Sequence, residues 1–207
     1  MKHKIVLFDA DGVTIDSNLM FSQVLERNYK IPQEKMAPFF SGVFQECLYG
    51  RADLKIELGN VIADWGWKKT VDELLQEWFE FENKPNAEML HLIDRFRNAG
   101  VKCYLATNQE KHRAEYLRKK MGFSELFDGL FVSAEVGYKK KNPKFFEEVF
   151  ASLNEANRNF CSELVTKNEI LFVDNEKENT DSAKDAGLDT FLFTDIETFK
   201  QHMNGII

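Results

Sequence analysis

Ile5-Val6-Leu7-Phe8-Asp9-Ala10-Asp11-Gly12-Val13 decides how the rest of the chain is read. Four apolar residues in a row, with no polar alternation, fit a strand covered on both faces. The run ends in two carboxylates two residues apart, followed by a glycine. A carboxylate pair at a strand end converges on one point if the backbone leaves the extended form, which Gly12 permits. Such a pair can divide nucleophile and acid/base roles and can recruit a divalent cation through hard oxygen ligands. An ordinary Asp-Gly turn at the edge of the core accounts for the same residues equally well.

Outward from this stretch, short apolar runs recur at Val101–Ala106, Leu130–Val132, Ile170–Val173 and Thr190–Phe193. Helical patterns follow them. Phe145, Phe146, Val149, Phe150 and Leu153 share one face, and Glu178 to Ala186 reads as a helix stopped by Gly187. Alternating strands and helices predict an α/β fold, a doubly wound, Rossmann-like parallel sheet covered on both faces. Between Ser17 and Pro85 the strand texture disappears. Phe21, Val24 and Leu25 form one stripe, Leu54, Leu58, Val61, Ile62 and Trp65 a second, and Val71, Leu74, Leu75, Trp78 and Phe79 a third. The third opens with Thr70-Val71-Asp72-Glu73, a capping-box pattern. A helical cap domain, 17–85, is therefore expected as an insertion into a core domain made of 1–16 and 86–207.

Composition bounds the partners. The 207 residues carry 27 Lys and Arg against 34 Asp and Glu, a net charge of −7, which argues against nucleic acid or an anionic membrane surface as the main partner. The apolar run after Lys4 is cut off by Asp9, too short for a signal core, and no stretch approaches the ~20 residues that span a bilayer. Cys47, Cys103 and Cys161 are few, odd in number and widely spaced, which fits free thiols in a reducing cytosol. The expectation is a cytoplasmic protein. His3, His91, His112 and His202 show no zinc-ligand spacing, and no heptad seam informs on oligomeric state.

Ligands of open parallel sheets gather at the carboxyl ends of the strands, so the residues there carry the functional reading. Thr107-Asn108 follows the second apolar run. Both are favoured N-caps for a helix expected from Gln109, and a hydroxyl beside helix-start amides is also an anion site. Lys139-Lys140-Lys141 follows the third run, either as solvated lysines or as a source of one ammonium for phosphate. Asp174-Asn175-Glu176 follows the fourth, where Asp174 is a metal-ligand candidate and equally a helix cap.

The order of these signals is more specific than any one of them. Asp-x-Asp-Gly-Val, then Thr, then Lys ahead of Pro143-Lys144-Phe145-Phe146, then Asp after an apolar strand, resembles the four motifs of the haloacid dehalogenase superfamily of phosphohydrolases. The resemblance covers nearly the whole chain, and the insertion sits where that family's helical cap sits. It implies that Asp9 is the nucleophile, forming an aspartyl-phosphate, and that Asp11 protonates the leaving oxygen and later activates water. Thr107 and Lys140 would hold the phosphoryl oxygens. Mg2+ would sit between Asp9, the main-chain carbonyl of Asp11, and Asp174. The physics of the transfer agrees, because charge on the phosphoryl oxygens calls for a hydroxyl, amides, an ammonium and a cation. Asp11 also needs a raised pKa relative to its reference of about 3.9.

Two departures stand out. Lys140 is followed by Lys141-Asn142-Pro143 where relatives often have Pro-Asp-Pro, so Lys139 or Lys141 can replace it if the loop shifts. Asn175 stands where many relatives have a second acid, which predicts weaker Mg2+ binding. Hydrolytic dehalogenases of the superfamily lack the second Asp, so Asp11 points to phosphate esters. Receiver domains of two-component signalling use similar parts, but their acids are adjacent and their domain is shorter. The resemblance therefore implies a Mg2+-dependent phosphatase acting on a small phosphorylated metabolite, a sugar or nucleotide phosphate. A phosphomutase and a non-catalytic phosphate-binding protein are the alternatives. Asn108, with Arg51 and Lys55 from the insertion, are candidate substrate-binding residues. Trp65, Trp67 and Trp78 read as cap packing, Trp67 lying off the main stripe.

Overall fold

The structure, a computed structural model, describes residues 2–16, 19–159 and 164–203. Ser17, where the expected insertion begins, and Cys161 lie outside the described residues. Cys47 and Cys103 are free and buried.

Strand β1 (Ile5–Phe8) is followed by six helices: α1 (Phe21–Tyr29), α2 (Gln33–Ser41), α3 (Val43–Leu48), α4 (Leu54–Gly59), α5 (Ile62–Trp65) and α6 (Val71–Phe81). Then come α7 (Ala87–Asn98), β2 (Lys102–Thr107), α8 (Lys111–Lys119), α9 (Phe123–Leu126), β3 (Gly129–Val132), α10 (Ser133–Val136) and α11 (Pro143–Asn159). The chain closes with β4 (Ile170–Asp174), α12 (Lys177–Asp185), β5 (Asp189–Leu192) and α13 (Ile196–His202). The five strands form one parallel sheet in the order β3-β2-β1-β4-β5.

The pleat sends alternate β1 residues to opposite faces. Val6 and Phe8 pack with Met89, Phe96 and Phe199 on one side, while Ile5 and Leu7 pack with Phe145, Phe146 and Val149 on the other. Both faces are thus covered, the condition under which parallel strands read as unbroken apolar runs. A third core joins the helices between β1 and β2, with Leu25, Met36, Leu54, Leu58, Trp65 and Leu74 among its buried members. The capping box at Thr70 is present: Glu73 N–H donates to Thr70 Oγ1 (3.2 Å) and Thr70 N–H to Glu73 Oε2 (2.8 Å).

The chain leaves the sheet for these helices and returns beside itself. Gly12 N–H donates to the Ile15 carbonyl (2.7 Å), Asp16 N–H to that of Lys84 (2.8 Å) and Asn86 N–H to that of Thr14 (2.9 Å). Outgoing and incoming segments form a short hydrogen-bonded stem, with Ile15 opposite Pro85.

Candidate active site

Strand order reverses at β1, which has β2 on one side and β4 on the other, so a crevice opens at the carboxyl ends of these strands. Register aligns what stands there. Phe8 lies opposite Leu105 and Val173, and Asp9 N–H donates to the Val173 carbonyl (2.9 Å). Asp9, Thr107 and Asp174 consequently emerge side by side. Asp9, Asp11, Thr107, Asn108, Lys140, Glu176 and Asn179 line a cavity of about 130 Å³.

The turn after Asp9 is held from within. Ala10 N–H donates to Asp9 Oδ1 (2.7 Å), and the buried Thr14 hydroxyl donates to the Asp9 carbonyl (3.0 Å). Gly12 has φ 84°, and a Cβ there would come within 2.4 Å of the Asn175 side-chain nitrogen. Both constraints call for glycine.

Lys140 is the lysine that enters the cavity. Its main-chain N–H donates to Asn108 Oδ1 (2.9 Å), and its buried ammonium bridges Asp9 and Asp174, 2.7 Å from Asp174 Oδ2. Lys139 turns toward the helices instead, donating to Gln45 Oε1 on α3 (2.6 Å), and Lys141 is exposed. Asn108 thus fixes the loop that carries the ammonium. The helix after Thr107 starts later than expected: α8 begins at Lys111, and Glu110 caps it by accepting from His112 N–H (2.7 Å) and Arg113 N–H (2.5 Å). With Glu110 in that role, Thr107 ends β2 rather than capping a helix.

Burial pushes the Asp9 carboxyl up to about 8, with the Lys140 ammonium opposing and the Asp174 charge adding. Burial also raises Asp11, against the Arg113 and Lys140 charges and a hydrogen bond from Gln109 Nε2 (2.6 Å). Burial alone would lower Lys140; Asp9 and Asp174 hold it above its ordinary value.

The donor set suits a hard cation. Among the described residues no three Asp, Glu, His or Cys side chains converge on one point, but Mg2+ is ordinarily held by one or two carboxylates, with water and substrate oxygens completing its shell. Asp9 and Asp174 place two carboxyl groups around one ammonium, and a cation there would favour the ionised form of Asp9 that burial opposes.

Three contributors carry little signal in the sequence. Glu176 lines the cavity and Asn179 donates to both Asp174 oxygens (3.2 and 3.1 Å) and to Glu176 Oε2 (3.0 Å), yet both read as ordinary residues of a helix start. Gln109 reads as the start of a helix. Arg51 and Lys55 do not line the cavity. Gly50 presses against the Ala134 carbonyl, where no Cβ would fit. Arg51 lies against Glu46 (3.4 Å) and the Tyr49 ring, and Lys55 pairs with Asp72 (2.6 Å) beside a separate hollow between α6 and α8. Trp67 packs on Tyr29 and donates to the Thr70 carbonyl (3.0 Å).

The family model for haloacid dehalogenase-like hydrolases matches residues 3–187. The chain belongs to that family. Among solved structures, the HAD family enzyme bt-2542 from Bacteroides thetaiotaomicron superimposes with a TM-score of 0.77 at 16% identity, covering 99% of this chain and 100% of that one. The same enzyme has been solved with magnesium and inorganic phosphate. L-2-haloacid dehalogenase from Xanthobacter autotrophicus, with chloropropionic acid covalently bound, gives 0.63 at 18% identity over 99% of this chain and 84% of that one. These likenesses show the fold. The sesquiterpene phosphatase astK of Aspergillus oryzae is 30% identical over 112 residues, 54% of this chain, and the match spans about half (52%) of that relative's length. Among the described residues no helix is long and apolar enough to cross a membrane.

Proposed function

We propose that this HAD-like hydrolase is a Mg2+-dependent phosphatase that opens phosphate monoesters through an aspartyl-phosphate on Asp9. The observation that carries this reading is the convergence of Asp9, Asp11, Thr107, Asn108 and Lys140 on one small polar cavity at the strand ends. A carboxylate of Asp9 attacks phosphorus while Asp11 gives its proton to the departing alcohol oxygen. Asp11 then takes a proton from water, whose oxygen attacks the aspartyl-phosphate and releases phosphate. The raised Asp11 pKa supports its role as acid, since a carboxyl near its reference value would be ionised before it could donate. The Thr107 hydroxyl and the Lys140 ammonium balance charge on the phosphoryl oxygens. Mg2+, when bound by Asp9, the Asp11 main-chain carbonyl and Asp174, supplies the positive charge that lets an anionic carboxylate approach an anionic phosphate. Helices α1 to α6, within 17–85, act as the cap over this centre.

The relative astK is named a phosphatase, and bt-2542 takes up magnesium and phosphate on this fold; both support the reading over dehalogenation, as does Asp11, which a halide leaving group would not need. The test is Mg2+-dependent phosphate release from an aryl phosphate. Asp9→Asn should lower the rate by at least about 10³-fold. Release that survives this substitution would remove Asp9 as nucleophile, and no release by the wild type would remove the phosphatase reading.

A further inference from the structure

A second cavity, about 600 Å³, lies among α1, α2, α3 and α6, and Asp11 lines it as well as the small polar one. Its walls are mainly Phe21, Met36, Phe40, Phe44 and Trp78. The Trp78 ring stacks on Phe21 at 5.7 Å and meets Phe40 (5.7 Å) and Phe44 (5.9 Å). The size is that of a pocket for a small organic molecule. Asp11, the residue assigned to the departing oxygen, lines both cavities.

Its polar members are largely engaged already. Gln45 donates to the Phe40 carbonyl (2.6 Å) and accepts from Lys139, and Gln33 donates to Glu26 (2.5 Å). Ser41 donates to the Ala37 carbonyl (2.9 Å), and Glu82 accepts from Trp78 Nε1 (2.6 Å). No Lys or Arg is among the described lining residues. A sugar or nucleoside placed here would give up water for its hydroxyls and find few partners in return, an unfavourable exchange. An aliphatic chain would leave water for aromatic and thioether surface, a favourable one. At the rim, Met20 is 72% exposed and Leu19 37%, two apolar side chains that would meet such a chain on entry.

We infer that the substrate is the phosphate monoester of an apolar, aliphatic alcohol, its phosphate in the small cavity beside Asp9 and Lys140 and its hydrocarbon among Phe21, Met36, Phe40, Phe44 and Trp78. This rests on the phosphatase reading and narrows it: the sugar or nucleotide ester expected from the sequence gives way to an apolar one. Asp11 stands where the two cavities meet, at the ester oxygen. Hydrocarbon burial of this kind acts on ground state and transition state alike, so it appears in KM rather than kcat.

The experiment measures phosphate release with Mg2+ from ethyl, butyl, hexyl and octyl phosphate, all monomeric in solution, and from a hexose phosphate and phenyl phosphate. KM should fall about fourfold per added methylene until the cavity is filled, with kcat nearly constant, and the hexose phosphate should have a kcat/KM at least about tenfold below octyl phosphate. Ala37 lines the same cavity from an exposed position on α2, where a larger side chain need not disturb the fold. Ala37→Trp should lower kcat/KM for octyl phosphate about tenfold more than for ethyl phosphate. Phe44→Ala, which enlarges the cavity, should shift the optimum to a longer chain. A flat chain-length series, a hexose phosphate favoured over octyl phosphate, or an Ala37→Trp effect equal on long and short esters would each overturn the inference while leaving the phosphatase reading intact. If phenyl phosphate and every other ester were left untouched, the phosphatase reading would fail first and this inference with it.

Discussion

The two cavities that share Asp11 are built from opposite materials. The small one is walled by polar side chains at the ends of β1 and β2, in the loop before α11 and at the start of α12, several of them paired with one another. The large one is walled mostly by apolar side chains from α1, α2, α3 and α6, with Gln33, Gln45 and Glu82 among them. Parallel register fixes the first, because shifting one strand by a residue would carry a charged group into the core. The second depends on how apolar side chains settle among helices, which tolerate volume-conserving exchange. On the proposed function, the reaction would be tied to the sheet, while the choice of alcohol would fall to residues that can change without touching the strands.

The substitution that strikes where the cavities join should have the largest effect. Asp11→Asn keeps the size but removes the transferable proton, and turnover of alkyl phosphates should drop about 10²- to 10⁴-fold. A phenolic leaving group needs less proton assistance, so aryl phosphate hydrolysis should fall much less. Equal losses on both esters would place Asp11 in binding rather than proton transfer. On the polar side alone, Asn175→Asp restores a second acid beside Asp174 and should tighten Mg2+ binding roughly tenfold, read by titrating activity against the cation. An unchanged affinity would mean that Asn175, whose amide lies against Gly12, matters for the turn and not for the metal.

The smallest expected effect lies at the wall of the large cavity, which Glu82 lines. Glu82 lies 3.7 Å from the buried guanidinium of Arg113, which also donates to the Phe79 (3.1 Å) and Glu82 (3.3 Å) carbonyls and so ties α8 to α6. Burial raises Glu82 from 4.5 to about 7, with Arg113 opposing. The folded state therefore holds a proton there that the unfolded chain releases first, and raising the pH from about 4.5 to 7 should cost stability. With 27% of the side chain still exposed, the cost should be on the order of 1 kcal/mol. Glu82→Gln, compared with the wild type by urea unfolding across that range, should lack this part of the slope. Identical slopes would show that Glu82 ionises freely in the folded protein.

What could be read from the residues divides along the same line. β1 and β4 were legible because double burial leaves unbroken apolar runs, and the partly exposed edge strands β3 and β5 as short apolar runs between polar residues; the charged or hydroxylic strand ends marked the crevice. Among the three consecutive lysines the strand pattern could not choose, since the choice follows from the Asn108 side chain holding the Lys140 amide. Arg113 was hidden: Lys-His-Arg-Ala-Glu-Tyr-Leu-Arg-Lys reads as a solvated helix, and only packing against Phe79 and Tyr116 reveals a buried cation. Trp78 was read as packing alone, although it is half-buried and faces the large cavity. Apolar periodicity marks an inward face but does not distinguish a filled core from a hollow one.

The hydrogen-bonded stem formed by residues 12–16 with 84–86 has a consequence for how such a protein can change over time. Because the chain departs and comes home at one spot, the sheet meets the helices as a closed loop whose ends are already joined. The entropic cost of closing such a loop grows only with the logarithm of its length. Helices can therefore be added, shortened or replaced wholesale beyond the stem, and Asp9, Thr107 and Asp174 keep their places. On the proposed function, a different substrate would be reached by exchanging that part, with the groups at the strand ends left in place.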